Sequence, residues 1–459
     1  MDITAKFTRQ NYLHSTTSKA NLVISLTAPV IDGKQRPPLC VLPVLDTSGS
    51  MQGQKIEYAK KSILKLIEHL GANDFAGLVV FGPSAELVVP PQEATSGFKD
   101  RVRAIVNKIS PRGGTNLEHG LSTAIRAVGD LDLPSSYLSR VILFTDGEPT
   151  CGITDKNRIC DILSKGRGPI TVSAFGYGLG SSRISRRVAY SGCDYEFLSR
   201  LSEGGAGNFA HVQDPDDAVS AFGKELGGLL STYGTNLRVL VDPLKDHRIS
   251  QVLSDVTVES QDVTGTTEIR IPDILGEETR NLVLEVDLAE QKNCVPRSVP
   301  VFSVKVWWSE VSDSGERVEK DGEARASIRF VRKESDLDKE DPELVRAVHL
   351  AKIVRAQIDA EEQAKKGDFK AAKLVFSGLL REVDDSNMRQ AIEGVQWTYS
   401  ADAYVSTSGS RYSTRRGLTR SVGVCSADAA SSQVLSSALG EAQSSNSVQE
   451  ATMLSFKED

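Results

Sequence analysis

The stretch Val41 to Met51, VLPVLDTSGSM, sets one carboxylate and two hydroxyls at alternate positions, Asp46, Ser48 and Ser50, directly behind an apolar run. Such a run reads as a strand covered on both sheet faces. Strand ends of parallel α/β sheets are where ligands meet side chains and loop backbone. Gly49 is expected to permit the tight backbone this loop needs. Two further oxygen donors stand at what read as equivalent strand ends: Thr115 in PRGGTN, behind two glycines, and Asp146, closing VILFTD. The set is oxygen only, which suits a hard cation, Mg²⁺ or Mn²⁺; Mg²⁺ takes six oxygens at about 2.0 to 2.1 Å and tends to keep water. Five side chains with only two carboxylates among them leave a coordination position uncompensated. An acidic residue from a partner can then replace a water and complete the coordination.

A helix N-cap accounts for Asp and Ser ahead of a helix, but not for Thr115 and Asp146. Glu148 reads as an exposed loop carboxylate, and His119 as a surface or packing histidine of a helix. The other histidines form no ligand spacing. A phosphotransferase or hydrolase is the enzymatic alternative, since carboxylates, hydroxyls and Mg²⁺ also serve those reactions. Against it, Ser48 stands where the aspartate-based phosphatase pattern wants a second Asp. The sequence also has no GxxxxGK[ST] and no GxSxG. No catalytic residue is assigned. A structural adaptor within an ATPase or ubiquitin-pathway assembly is the third reading.

The elements that must position these residues alternate from Leu39 to about Tyr233. Apolar strands are expected at Leu39 to Leu45, Ala76 to Phe81, Val141 to Thr145 and Ile170 to Phe175. Helices are expected at Lys55 to Leu70, Gly97 to Ile109, Leu117 to Val128, Asp155 to Lys165 and Pro215 to Leu230. This predicts an α/β fold with a Rossmann-like, doubly wound parallel sheet. In the first helix Ile56, Ala59, Ile63, Leu66, Ile67 and Leu70 share one face and the lysines are read on the other. Pro43 conflicts with a central strand unless a bulge, or a donor position its neighbour leaves unused, accommodates it.

Beyond Tyr233 the texture turns to β segments: Asn236 to Val241, Val252 to Val258, Thr267 to Ile271, Arg280 to Leu288, Val299 to Trp308 and Ala324 to Phe330. An antiparallel sandwich is the natural packing. The period-2 texture of the first thirty or so residues predicts that they join it, so the α/β unit is inserted in or flanked by the sandwich. One tryptophan of the pair Trp307 and Trp308 is expected in the core and the other on the surface. Pro342 to about Val395 reads as a helical hairpin broken at Lys366 to Asp368. The expected organisation is 1–35, strands joining the sandwich; 36–233, the α/β domain; 234–335, the sandwich; 336–396, the hairpin; and 397–459, a Ser/Thr-rich, mostly disordered tail. That tail carries the basic cluster SGSRYSTRRGLTR, where phosphate would act if the chain is regulated.

The 459 residues, 39% hydrophobic and 25% charged, suit a protein of several folded units, and no apolar run is long enough to span a bilayer. A net charge of -7 argues against nucleic acid as a partner. The opening MDITAKFTRQ lacks the apolar core of a secretory signal, and the six scattered cysteines form no framework, so cytoplasm is the expected compartment. Oligomeric state is left open.

The ordered set Asp46, Ser48, Ser50, Thr115 and Asp146 resembles the metal ion-dependent adhesion site of the von Willebrand factor A (VWA) domain family, D-x-S-x-S followed by a distant Thr and a distant Asp. The resemblance covers about Leu39 to Tyr233. It implies a non-catalytic, Mg²⁺-dependent protein-binding module. It places Asp46, Ser48 and Ser50 in a first metal-binding loop, Thr115 in a second and Asp146 in a third, reaching the ion directly or through water. The flanking β regions are similar in layout to intracellular A-domain proteins of the kind related to inter-alpha-trypsin inhibitor heavy chains.

Overall fold

The alternating segments at the start of the chain form β1 (Asp2–Phe7), β2 (Asn11–Leu13) and β3 (Ser18–Thr27). They appear in a computed structural model that describes residues 1–31, 36–134, 136–164, 170–178, 193–212, 215–261, 265–291, 297–312, 316–383 and 385–400. The tail expected beyond residue 400, and the regulation expected of it, lie outside the described residues.

The chain then builds the α/β unit: β4 (Leu39–Asp46), α1 (Gln54–His69), β5 (Phe75–Phe81), β6 (Ala85–Glu93), α2 (Ser96–Lys108), α3 (Leu117–Gly129), β7 (Leu138–Thr145), α4 (Lys156–Ser164), β8 (Ile170–Tyr177), α5 (Tyr195–Gly204), β9 (Ala206–Val212) and α6 (Pro215–Leu230). Among the described residues its six strands lie in the order β6-β5-β4-β7-β8-β9, parallel except for the edge strand β6. β4 is buried from end to end because alternate residues face two cores: Leu39, Val41 and Leu45 join α1, α2 and α6, whereas Cys40, Leu42 and Val44 join α3, α4 and α5. Each such aliphatic side chain contributes about 1.5 to 3 kcal/mol when fully buried.

Chain direction across the sheet reverses between β4 and β7, which opens the crevice typical of doubly wound sheets at their C-terminal ends. Pro43 needs no bulge. It pairs in register with Ile142 of β7, while the ladder to β5 skips Leu42 and Pro43 and resumes with the same offset. The missing donor therefore falls where no partner requires it.

Three elements of this unit escaped the sequence reading: β6, α5 and β9. The lysines of α1 also depart from expectation. Lys60 is buried and Lys55 is largely covered, so the polar face is not uniformly solvated.

The second unit gathers the N-terminal strands with β10 (Thr232–Pro243), β11 (Arg248–Val252), β12 (Thr257–Gln261), β13 (Thr267–Leu275), β14 (Thr279–Leu288), β15 (Ser298–Val311) and β16 (Arg317–Val331). β3 runs antiparallel to β14 from Ser18 to Thr27, β2 adds in parallel to the edge of β16, and two sheets enclose a shared aliphatic core. The segment Val252 to Val258, read as one strand, holds the end of β11, a connection over 253–256 and the start of β12. Trp308 is in the core, and the guanidinium of Arg238 lies 5.2 Å from the ring centre of Trp307.

Three helices follow, α7 (Pro342–Lys365), α8 (Phe369–Glu382) and α9 (Ser386–Thr398), where a hairpin was expected. Asp341, Asp368 and Asp385 cap their N-termini by accepting backbone N–H groups. α7 packs its Val348, Leu350, Ile353 and Val354 in one cluster with Val23 and Val283 of the sandwich and Phe376 of α8. Among the described residues no helix is long and apolar enough to cross a membrane.

Candidate metal centre

Asp46 ends β4 with its carboxylate fully buried. The Ser48 N–H donates to its Oδ1 at 2.7 Å and the Thr145 hydroxyl, at the end of β7, donates to its Oδ2 at 2.6 Å. Thr145 in turn accepts the Gly147 N–H at 3.0 Å. These bonds fix the orientation of Asp46 from the two strands that flank the crevice. Burial pushes its pKa up to about 6, with the charge of Asp146 adding to the rise and the hydrogen bonds from Thr145 and Ser48 opposing it.

The first loop continues as a single 3-10 turn, Gly49–Met51, in which the hydroxyls of Ser48 and Ser50 lie 3.1 Å apart. Ser48 is buried and Ser50 is exposed, so the pair runs from the interior to the surface. Thr47 anchors the loop by donating both N–H and hydroxyl to the Phe81 carbonyl, each at 2.7 Å, and its own carbonyl accepts the Arg112 N–H.

Gly49 is not in a left-handed conformation, and an added Cβ would meet only the Gly113 carbonyl at 3.7 Å. Its expected conformational role belongs instead to Gly53 (φ 88°), which precedes α1.

The Gly49 N–H donates to the Gly113 carbonyl at 2.8 Å and thereby ties the first loop to the second. Thr115 is buried in that second loop. It lies between α2 and α3, one residue before Asn116 caps α3, rather than at a strand end as expected. The third loop holds Thr115 by its backbone: its N–H donates to the Thr150 hydroxyl at 2.8 Å and its carbonyl accepts the Thr150 and Cys151 N–H groups. Hydrogen bonds thus link all three loops.

Asp146 follows β7 and its side chain is 2% exposed. Its Oδ2 accepts from Lys55 Nζ at 3.1 Å, while its buried Oδ1 receives no hydrogen bond from any described residue. A carboxylate oxygen kept from water without a donor is unfavourable, and a cation at that atom would relieve the cost. The donor set therefore fits a hard dication.

No group of three or more His, Cys, Asp or Glu among the described residues could hold a metal. Cys193 lies close enough to Asp146 to feel its charge, but burial, reinforced by that charge, holds its thiol well above the ordinary range and so protonated. Glu148 is exposed, and exposed His119 accepts the Ala85 N–H at 3.1 Å on its Nδ1.

Two residues of the centre escaped the sequence reading. Thr145, next to Asp146, looked like one more strand residue. Lys55 looked like an ordinary lysine of an amphipathic helix.

A doubly wound sheet with these three loops at its reversal point is the architecture of a von Willebrand factor type A domain, and the chain carries one: residues 41–148 match that family's profile. An uncharacterized protein of Synechocystis sp. is 27% identical over 283 residues, covering 59% of this chain and 62% of its own. Inter-alpha-trypsin inhibitor heavy chain H1 of Sus scrofa is 36% identical over 149 residues, 30% of this chain and 16% of that protein. The chain thus spans less than two thirds of both relatives. Among solved structures, a von Willebrand factor type A protein from Catenulispora acidiphila aligns over 93% of this chain and 97% of its own, with a TM-score of 0.66 at 16% identity.

Proposed function

We propose that the protein is a non-catalytic, divalent-metal-dependent binding module in which Asp46, Ser48, Ser50, Thr115 and Asp146 hold Mg²⁺ or Mn²⁺ and an acidic residue of a protein partner completes the coordination. The observation that carries this reading is the buried Asp146 Oδ1 without a donor, on a carboxylate electrostatically coupled to buried Asp46. When bound, the ion supplies a Lewis-acidic position open to an external oxygen. The chain's residues do the rest. Thr145 and the Ser48 N–H orient Asp46, the contact between Gly49 and Gly113 sets the first loop against the second, and exposed Ser50 marks the side from which a partner approaches.

A binding role is favoured over catalysis because both oxygens of Asp46 already accept hydrogen bonds that hold it as a ligand rather than free it as a base. Cytoplasmic residence is part of the proposal, supported by the free thiols of Cys40, Cys151 and Cys160.

The test is capture of partners from lysate with and without chelator, using the natural chain and Asp46→Ala. The reading expects a set of proteins lost in both the chelated and the mutant arms; a bound set that ignores both treatments overturns it.

A further inference from the structure

Among the described residues, a lysine that the metal-binding pattern does not include is seated at the centre. Lys55 occupies the first turn of α1, directly after Gln54. A positive side chain there opposes the positive end of the helix dipole. Its ammonium is nevertheless drawn inward, with the side chain only 12% exposed, and it pairs with Asp146 Oδ2 at 3.1 Å. Other lysines of α1 make different use of their length: Lys61 is exposed, and Lys60 pairs with exposed Glu57 at 2.9 Å. Gly53, at φ 88°, starts the helix so that its second residue faces back toward the third loop. Lys55 engages the oxygen of Asp146 opposite the one left without a donor. Ion pair and metal contact thus use different atoms of one carboxylate, and neither excludes the other.

We propose that Lys55 is the specificity-setting residue of this centre: by neutralising part of the charge of Asp146 it weakens the hold on the dication and strengthens the dication's demand for an external carboxylate. This rests on the metal-dependent reading given above. The charges make the case. Asp46 and Asp146, both ionised, would cancel a dication by themselves, and an anionic partner would then gain little. With Lys55 paired to Asp146, one positive charge is left over, and a single incoming Asp or Glu cancels it. In a buried setting such a charge is screened far less than at the surface. The same ammonium holds Asp146 in place, so the third loop is formed before a metal arrives.

The experiment is calorimetric titration of Mn²⁺ into the full chain at pH 8, for the natural protein, Lys55→Met, Lys55→Gln and Lys55→Arg. A second measurement follows the paramagnetic broadening of acetate methyl protons at equal Mn²⁺ occupancy. Lys55→Met and Lys55→Gln are expected to bind Mn²⁺ about tenfold more tightly, a difference of about 1.4 kcal/mol, and to broaden acetate several-fold less. Lys55→Arg, which keeps the charge, is expected to stay near the natural protein in both. Gln retains a donor toward Asp146, so the inference remains testable if the Met variant does not fold.

Neutral variants that bind Mn²⁺ no more tightly than the natural chain overturn the role of Lys55 while leaving the metal-dependent reading standing. A natural chain that takes up no Mn²⁺ removes both.

Discussion

Two buried aspartates at opposite ends of one sheet are treated in opposite ways. Asp74, just before β5 at the N-terminal edge, is saturated: its Oδ1 accepts from Arg36 at 2.9 Å and from the Leu39 N–H at 2.9 Å, and its Oδ2 from Arg36 at 2.5 Å and from the Gly71 N–H at 2.7 Å. Asp146, equally buried at the C-terminal edge, has Lys55 on one oxygen and no described donor on the other. A carboxylate whose task is to fasten strands has its lone pairs met within the protein. One that keeps an unmet lone pair under cover is set up for something from outside.

Breaking the saturated carboxylate should have the largest effect. Asp74→Ala strands the Arg36 guanidinium and frees two backbone donors, and is expected to cost about 3 to 5 kcal/mol in denaturant unfolding. Mn²⁺ affinity of the folded fraction should not change.

Acid titration sharpens the contrast next. In the metal-free protein Asp46 has a native pKa of about 6, above the unfolded value of 3.8. The native state keeps a proton that the unfolded chain has released, so stability is lost as pH rises from about 4 to about 6, by up to about 3 kcal/mol. Hydrogen exchange of the β4 and β7 amides measures this, and saturating Mn²⁺ should abolish the fall. A stability that rises through this window without metal would contradict the assignment.

Asp146→Asn should act mainly on metal binding, where Asp74→Ala acts on stability. We expect a smaller loss of metal-free stability than for Asp74→Ala, because an Asn oxygen can still accept from Lys55, and a loss of Mn²⁺ affinity beyond the about hundredfold seen for outer-shell partners. Smaller still is Thr145→Val, which removes one hydrogen bond from Asp46. About 1 kcal/mol of stability and about tenfold in Mn²⁺ affinity should go, read by thermal unfolding and titration.

The sequence exposed the centre more readily than its supports. Asp46, Ser48 and Ser50 alone would read as ordinary loop residues ahead of a helix; Thr115 and Asp146 made them candidates, and hydrogen bonds link the three loops that carry them. β6 was hidden by Pro90 and Pro91, tolerated only because this is an edge strand where donors go unused. β9, AGNFAHV, has little of the aliphatic character by which its neighbours were found. The third C-terminal helix had a visible signal in Asp385 ahead of SNMRQ, which is an N-cap, but the break at Gly367 drew the eye to two helices. Lys55 was unreadable because helical periodicity gives a direction but not what the neighbouring loop places there.

The most direct test is a crystal structure of the full chain grown with magnesium. Metal-dependent binding at this centre predicts one octahedral ion about 2.1 Å from its oxygen ligands, among Asp46, Ser48 and Ser50, with Thr115 and Asp146 bonded to it directly or through water and Lys55 still on Asp146. The same side chains turned apart around a crevice that takes up no magnesium would contradict it.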